Sequence, residues 1–100
     1  MMQRVYIISN VEILALIADP LRLQILEALR TASYSPMRLS KRFNLSPQSL
    51  NYHFKILYEN QLIYKKFEER KRGVFESFYM ATAHIYRVDA KFINKSETEV

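Results

Sequence analysis

The residues best suited to do chemistry lie in one run: Gln48, Ser49, Asn51, Tyr52, His53 and Lys55, directly after Ser46-Pro47. Gln and Asn side chains offer a donor and an acceptor side by side and can pair bidentately with an adenine edge. Ser and Tyr hydroxyls can bond phosphate or base edges, and Lys meets phosphate or guanine. Leu50, Phe54 and Leu57 interleave with them at helical spacing. A helix from Pro47 to about Glu59 therefore buries those three and leaves Gln48, Ser49, Asn51, Tyr52 and Lys55 on its outer part. Proline at the helix start leaves the next backbone N–H groups pointing outward, where the dipole favours a phosphate. His53 has two readings, a phosphate contact or a packed side chain bonded to a backbone carbonyl near the turn. An ordinary helical hairpin with a polar outer face accounts for the same spacing.

Such a helix needs elements that hold it. Ser35-Pro36 opens a shorter helix, Pro36 to Phe43, with Leu39 and Phe43 four apart, and Asn44, Leu45 and Ser46 form a tight turn between the two. Leu39, Phe43, Leu45, Leu50 and Phe54 are expected to lock the pair at a fixed angle, a helix-turn-helix. Upstream, Asn10 caps a helix over Val11 to Ala18. Asp19-Pro20 then opens another to about Arg30, with Leu21, Ile25, Leu26 and Leu29 on one side. Downstream the period changes. Leu62 to Phe67 and Val74 to Met80 are rich in aromatic and β-branched residues and predict two strands. Between them Glu68 to Gly73 forms a charged connector ending in the only glycine, a residue suited to positive φ at a hairpin tip. Four helices and a hairpin make a mainly α fold, a winged helix-turn-helix in one domain over 1–100, with its core at about 10–82.

Charge points the same way. The net charge is +5, but Pro36 to Gly73 holds nine basic against three acidic residues, while the other 62 residues carry six basic and seven acidic. A basic block beside a near-neutral remainder is the pattern of a face that meets a polyanion, although a merely solvated surface is the plainer alternative. Arg38, Lys65, Arg70, Lys71 and Arg72 join the helix residues as candidate DNA contacts.

Other function classes find little support. The chain of 100 residues is 49% hydrophobic, enough for one packed core. No apolar run approaches the roughly 20 residues of a membrane span, and Val5 to Ile8 is too short for a signal peptide. Cysteine is absent, which removes disulfides, thiolate ligands and a thiol nucleophile together and fits a cytoplasmic protein. No nucleophile–base pattern, glycine-rich phosphate loop or paired-carboxylate motif suggests an enzyme. His53 and His84 stand 31 positions apart without acidic partners at ligand spacing, so neither a metal nor another cofactor is expected.

Ala18-Asp19-Pro20-Leu21-Arg22-Leu23-Gln24-Ile25-Leu26 resembles the opening of the ArsR-like regulators. Leu45 to Leu57 resembles that family's recognition helix, including its His-apolar-Lys-x-Leu ending. Arg72-Gly73 followed by Phe78-Tyr79-Met80-Ala81-Thr82 is similar to its wing and the exit from it. The resemblance covers about Asn10 to Thr82 and implies a dimeric, operator-binding repressor with the helix from Pro47 in the major groove. Two departures stand out. Asn60-Gln61 replaces the glycine that many relatives carry after the recognition helix, so Asn60 takes the left-handed cap or the turn is built differently. The Cys pairs of the metal-sensing members are missing, and His84 with Asp89 falls short of their other site.

The ends carry more apolar surface than one small core can bury. Val5, Tyr6, Ile7 and Ile8 precede a first helix whose one charge is Glu12. Ile85, Val88 and Phe92 follow at i, i+3 and i+7, with Tyr86 and Ile93 close by. That spacing suits a terminal amphipathic helix for dimerisation, while the β-branched content leaves a strand open. Ile7, Ile13, Leu14, Ile17, Ile85, Val88 and Phe92 are the expected dimer contacts across a two-fold, and 94–100 is expected to fray. The function expected is sequence-specific binding of a palindromic operator in double-stranded DNA by a homodimer. A winged-helix module that docks another protein is the alternative.

Overall fold

In the computed structural model, which describes residues 2–92, the elements run β1 (Gln3–Ile8), α1 (Val11–Ile17), α2 (Pro20–Thr31), α3 (Pro36–Phe43), α4 (Pro47–Glu59), β2 (Ile63–Lys71), β3 (Val74–Ala81) and β4 (Ala83–Val88). Each helix starts on a side-chain oxygen. Asn10 accepts from the Ile13 N–H, Asp19 from Leu21 and Arg22, Ser35 from Arg38, and Ser46 from Ser49, at 2.8–3.2 Å. Proline occupies the first turn of α2, α3 and α4, where its missing N–H costs no bond.

Helices α3 and α4 stop by the same device. In each, one residue turns left-handed, and its own N–H and that of the next residue fold back onto the last turn. After α3 that residue is Asn44 (φ 57°), with Leu45 N–H on the Ser40 carbonyl. After α4 it is Gln61 (φ 62°), with Leu62 N–H on the Leu57 carbonyl at 2.9 Å. Asn60, one of the two candidates for that cap, stays at φ −98° and instead donates its side-chain amide to the Ile56 carbonyl. The chain leaves α4 with Leu62 and Ile63 driven into the core beside Ile25, Leu29, Leu39, Leu50 and Leu57.

β2 and β3 pair antiparallel, with an irregularity between Lys65 and Phe67 that leaves Lys66 without an opposite residue. The strands continue past the expected boundary at Phe67 to the pair Lys71–Val74, so the turn is only Arg72-Gly73, both at positive φ. Charged residues suit this extension because the wing is solvated on both sides. At its base, Tyr34, from the link between α2 and α3, exchanges backbone bonds with Tyr79.

The tail is where the fold departs from expectation. Ala83–Val88 is a strand, paired parallel to β1, and only a short 3₁₀ turn at Ala90–Phe92 follows, so the expected terminal helix does not form over these residues. Alternation decides it. Tyr6 and Ile8 of β1 lie opposite Tyr86 and Val88 of β4, and all four pack on the core. The Tyr86 hydroxyl also donates to the Leu62 carbonyl at 2.7 Å. Ile85, Tyr86 and Val88 are β-branched or aromatic and fit a pleated surface better than a helix. Ile13 and Ile17, expected at a dimer contact, are instead buried within the single chain because α1 turns them onto α2 and the β1–β4 sheet. The segment 94–100 lies outside the described residues.

Candidate nucleic-acid interface

The angle between α3 and α4 is fixed from inside. Leu39 and Leu50 are fully buried, Phe54 is nearly so, and Phe43 packs against them half-buried. Leu45 takes no part in this lock, contrary to its expected role. It is 41% exposed, because the left-handed turn at Asn44 holds it by its backbone N–H and leaves the side chain outward.

With its inner face committed, α4 presents Gln48, Asn51, Tyr52 and Lys55 to solvent, and Ser49 half-buried beside them. The N–H of Ser49 is already taken by the Ser46 hydroxyl. His53 is half-buried, and its Nδ1 accepts from the Arg22 Nε–H at 3.1 Å, so its partner is a guanidinium where a backbone carbonyl was the packed alternative. Burial lowers its pKa below the ordinary histidine value, and the Arg22 charge lowers it further. Arg22 was not among the expected site residues; it belongs to the motif at the start of α2.

The other cations divide by position. Arg70, Lys71 and Arg72 are exposed at the outer end of the wing, and the Arg70 guanidinium lies 5.4 Å from the centre of the Phe75 ring. Arg38, exposed on α3, lies over the Phe78 ring with its Nε 3.8 Å from the Glu76 carboxylate. Lys65 stands apart from these. It lines a shallow hollow with Tyr58, Glu59 and Gln61 at the far end of α4, and its ammonium donates to Glu68 at 2.9 Å, which raises its pKa.

A cleft of about 380 Å³ separates α4 from the wing, lined among others by Met37, Pro47, Asn51, Val74, Phe75 and Glu76. It sets Asn51 across from the wing. Val74 and Phe75 were not among the expected site residues. Their signal is position, two large apolar residues directly after the only glycine with no core place to fill. Among the described residues no group of three or more His, Cys, Asp or Glu side chains gathers to hold a metal, and no helix is long and apolar enough to cross a membrane.

Residues 19–65 match the sequence profile described as "Bacterial regulatory protein, arsR family". Among solved structures, reduced HlyU from Vibrio cholerae N16961 is 28% identical, with 71% of this chain and 70% of that one covered and a TM-score of 0.59. The transcriptional regulator HlyU from Vibrio vulnificus CMCP6 is 22% identical over 87% of this chain and 81% of that one, TM-score 0.56. NolR from Sinorhizobium fredii is 23% identical over 87% and 78%, TM-score 0.57, and at such identities both likenesses concern the fold. No curated protein matches the chain. The matched residues 19–65 span α2, the helix-turn-helix and the start of the wing, so this part of the chain is similar to the arsR family of bacterial regulatory proteins, and the chain has the winged helix-turn-helix fold.

Proposed function

We propose that the chain is a cytoplasmic transcription regulator, a homodimeric repressor that binds a palindromic operator in double-stranded DNA. The observation that carries this reading is the division of α4. Leu50, Phe54 and Leu57 fix one side in the core, while Gln48, Asn51, Tyr52 and Lys55 stand free on the other, beside a wing tipped with Arg70, Lys71 and Arg72. α4 enters the major groove and reads base edges, and the wing cations neutralise phosphates or lie in the adjacent minor groove.

The second copy covers the outer face of the β1–β4 sheet. Val5, Ile7 and Ile85 share that face, opposite the side that packs on the core, and Ile7 and Ile85 are 47% and 52% exposed. A second copy hides this apolar surface, and binding two half-sites calls for a dimer whose α4 helices stand about 34 Å apart, one DNA turn. Of the other expected contacts, Leu14, Val88 and Phe92 are half-buried, and Leu14 and Val88 pack against the core of the single chain.

Electrophoretic shifts on random-sequence duplex at several salt concentrations, followed by selection of bound sequences, test the reading. Retention that weakens steeply with salt and a selected inverted repeat are expected. Failure to retain any duplex would mean a protein-docking module instead.

A further inference from the structure

Val74 and Phe75 are 68% and 61% exposed at the end of the wing, outside the hydrophobic core. Phe75 lies directly opposite Arg70 across the hairpin, and the guanidinium covers one side of its ring. Both apolar residues also line the cleft that faces Pro47 and Asn51 of α4. An apolar group ringed by Arg70, Lys71 and Arg72 suits a partner that is anionic outside and apolar within. A stacked duplex has that character.

The cleft fits the path such a partner takes. When α4 lies in the major groove, one sugar–phosphate strand passes between it and the wing, and the wing tip arrives at the next minor groove. Among the described residues Glu76 is the one acidic group lining this cleft, and it is compensated. The Ser35 hydroxyl donates to its carboxylate, and Arg38 lies 3.8 Å away. Met37 and Val74 then meet the deoxyribose, whose carbon faces are apolar.

We infer that Phe75 is a wedge: it enters the minor groove beside Arg70 and Arg72, partly unstacks one base step and bends the duplex. The inference rests on the proposed DNA-binding role. It adds that the wing prefers a flexible pyrimidine–purine step flanking the bases that α4 reads, because unstacking costs least there.

Resonance energy transfer between dyes at the two ends of a selected duplex measures the bend. Wild type should bend it by roughly 20–90°. Phe75→Ala should leave the duplex nearly straight, lower affinity roughly tenfold and abolish the preference at the flanking step. Phe75→Leu, which keeps an apolar wedge, should retain most of the bend. Both variants should melt with wild type, since the ring is outside the core. A straight duplex with wild type, or an equal bend with Phe75→Ala, overturns the wedge and leaves the DNA-binding role standing. A wild-type protein that retains no duplex overturns both.

Discussion

Arg22 joins three helices through two bonds: its Nε–H donates to Nδ1 of His53 on α4 at 3.1 Å, and its terminal nitrogen donates to the Leu16 carbonyl of α1 at 3.2 Å. The helix that presents the DNA-reading candidates is thus tied to the helix bearing the family's opening motif. The bond requires a neutral His53, because imidazolium has no acceptor at Nδ1. Arg22→Ala should cost about 1.5–3 kcal/mol in urea unfolding, the usual loss for a hydrogen bond to a charged group.

Protonation should loosen the same tie. The folded-state pKa of His53 lies below the ordinary value of about 6.5, through burial first and the Arg22 charge second, against a weaker opposing effect of Asp19. As pH falls, the unfolded chain therefore binds the proton first. His53 contributes its full stability above about pH 6.5, and that contribution is lost as pH falls from there through the folded pKa. Asp19, held low chiefly by the Arg22 backbone N–H, loses its contribution only below the carboxylate range. Urea unfolding from pH 8 to pH 5 should show wild type losing stability relative to His53→Asn, whose Oδ1 takes the place of Nδ1 as acceptor but does not titrate. Parallel curves would show that the bond does not govern this range.

The turn after α4 carries removable strain. Gln61 adopts φ 62° without the freedom of glycine. Gln61→Gly should raise stability by about 0.5–1 kcal/mol, the difference between left-handed backbone cost and glycine's extra unfolded-state entropy. Asn60→Gly should instead destabilise, since it deletes the amide bond to Ile56 and relieves no positive φ. Thermal melts of the two variants compare them directly.

Sequence reasoning succeeded where structure is local. Asp19-Pro20, Ser35-Pro36 and Ser46-Pro47 mark helix starts because a cap involves only the next three residues. The tail misled because Ile85, Val88 and Phe92 fit helical spacing, while the strand depends on pairing with Gln3–Ile8, some eighty residues away. No local pattern reports such a partner. Ile13 and Ile17 looked surplus for the same reason, since the sheet they pack beneath was not foreseen. Within the candidate interface, the outer face of α4 followed from periodicity. The Arg22–His53 bond and the cleft facing Phe75 depend on how separate elements meet.

The β1–β4 sheet gives the proposed dimer a specific test. Ile85→Asp puts a carboxylate in the centre of the exposed apolar face, so sedimentation at micromolar concentration should shift from dimer to monomer and operator affinity should fall. The melting curve of the monomer should change little, because Ile85 is half exposed in the single chain. Ile17→Ala should behave oppositely, costing about 2–5 kcal/mol of fold stability by opening a core cavity. An Ile85→Asp protein that still sediments as a dimer places the interface elsewhere.

Reader and clamp should separate by salt dependence and by sequence preference. Arg70 and Arg72 stand at the solvated end of the wing, whereas Gln48 and Asn51 are exposed near the start of α4. A phosphate contact releases condensed counterions whatever the sequence. Arg70→Ala and Arg72→Ala should therefore weaken operator and scrambled DNA alike and reduce the slope of log affinity against log salt by about one unit each. A base-edge contact acts only on the right base. Asn51→Ala and Gln48→Ala should each cost roughly 1–3 kcal/mol on the operator, relax preference at one position and largely spare scrambled DNA. Arg72 also holds φ 54° in the turn, so Arg72→Asn, which tolerates that backbone, separates loss of charge from hairpin strain. Titrating these variants on both duplexes at three salt concentrations decides the assignment. Helix variants that change only the salt slope, with wing variants that alter sequence preference, would reverse the two roles.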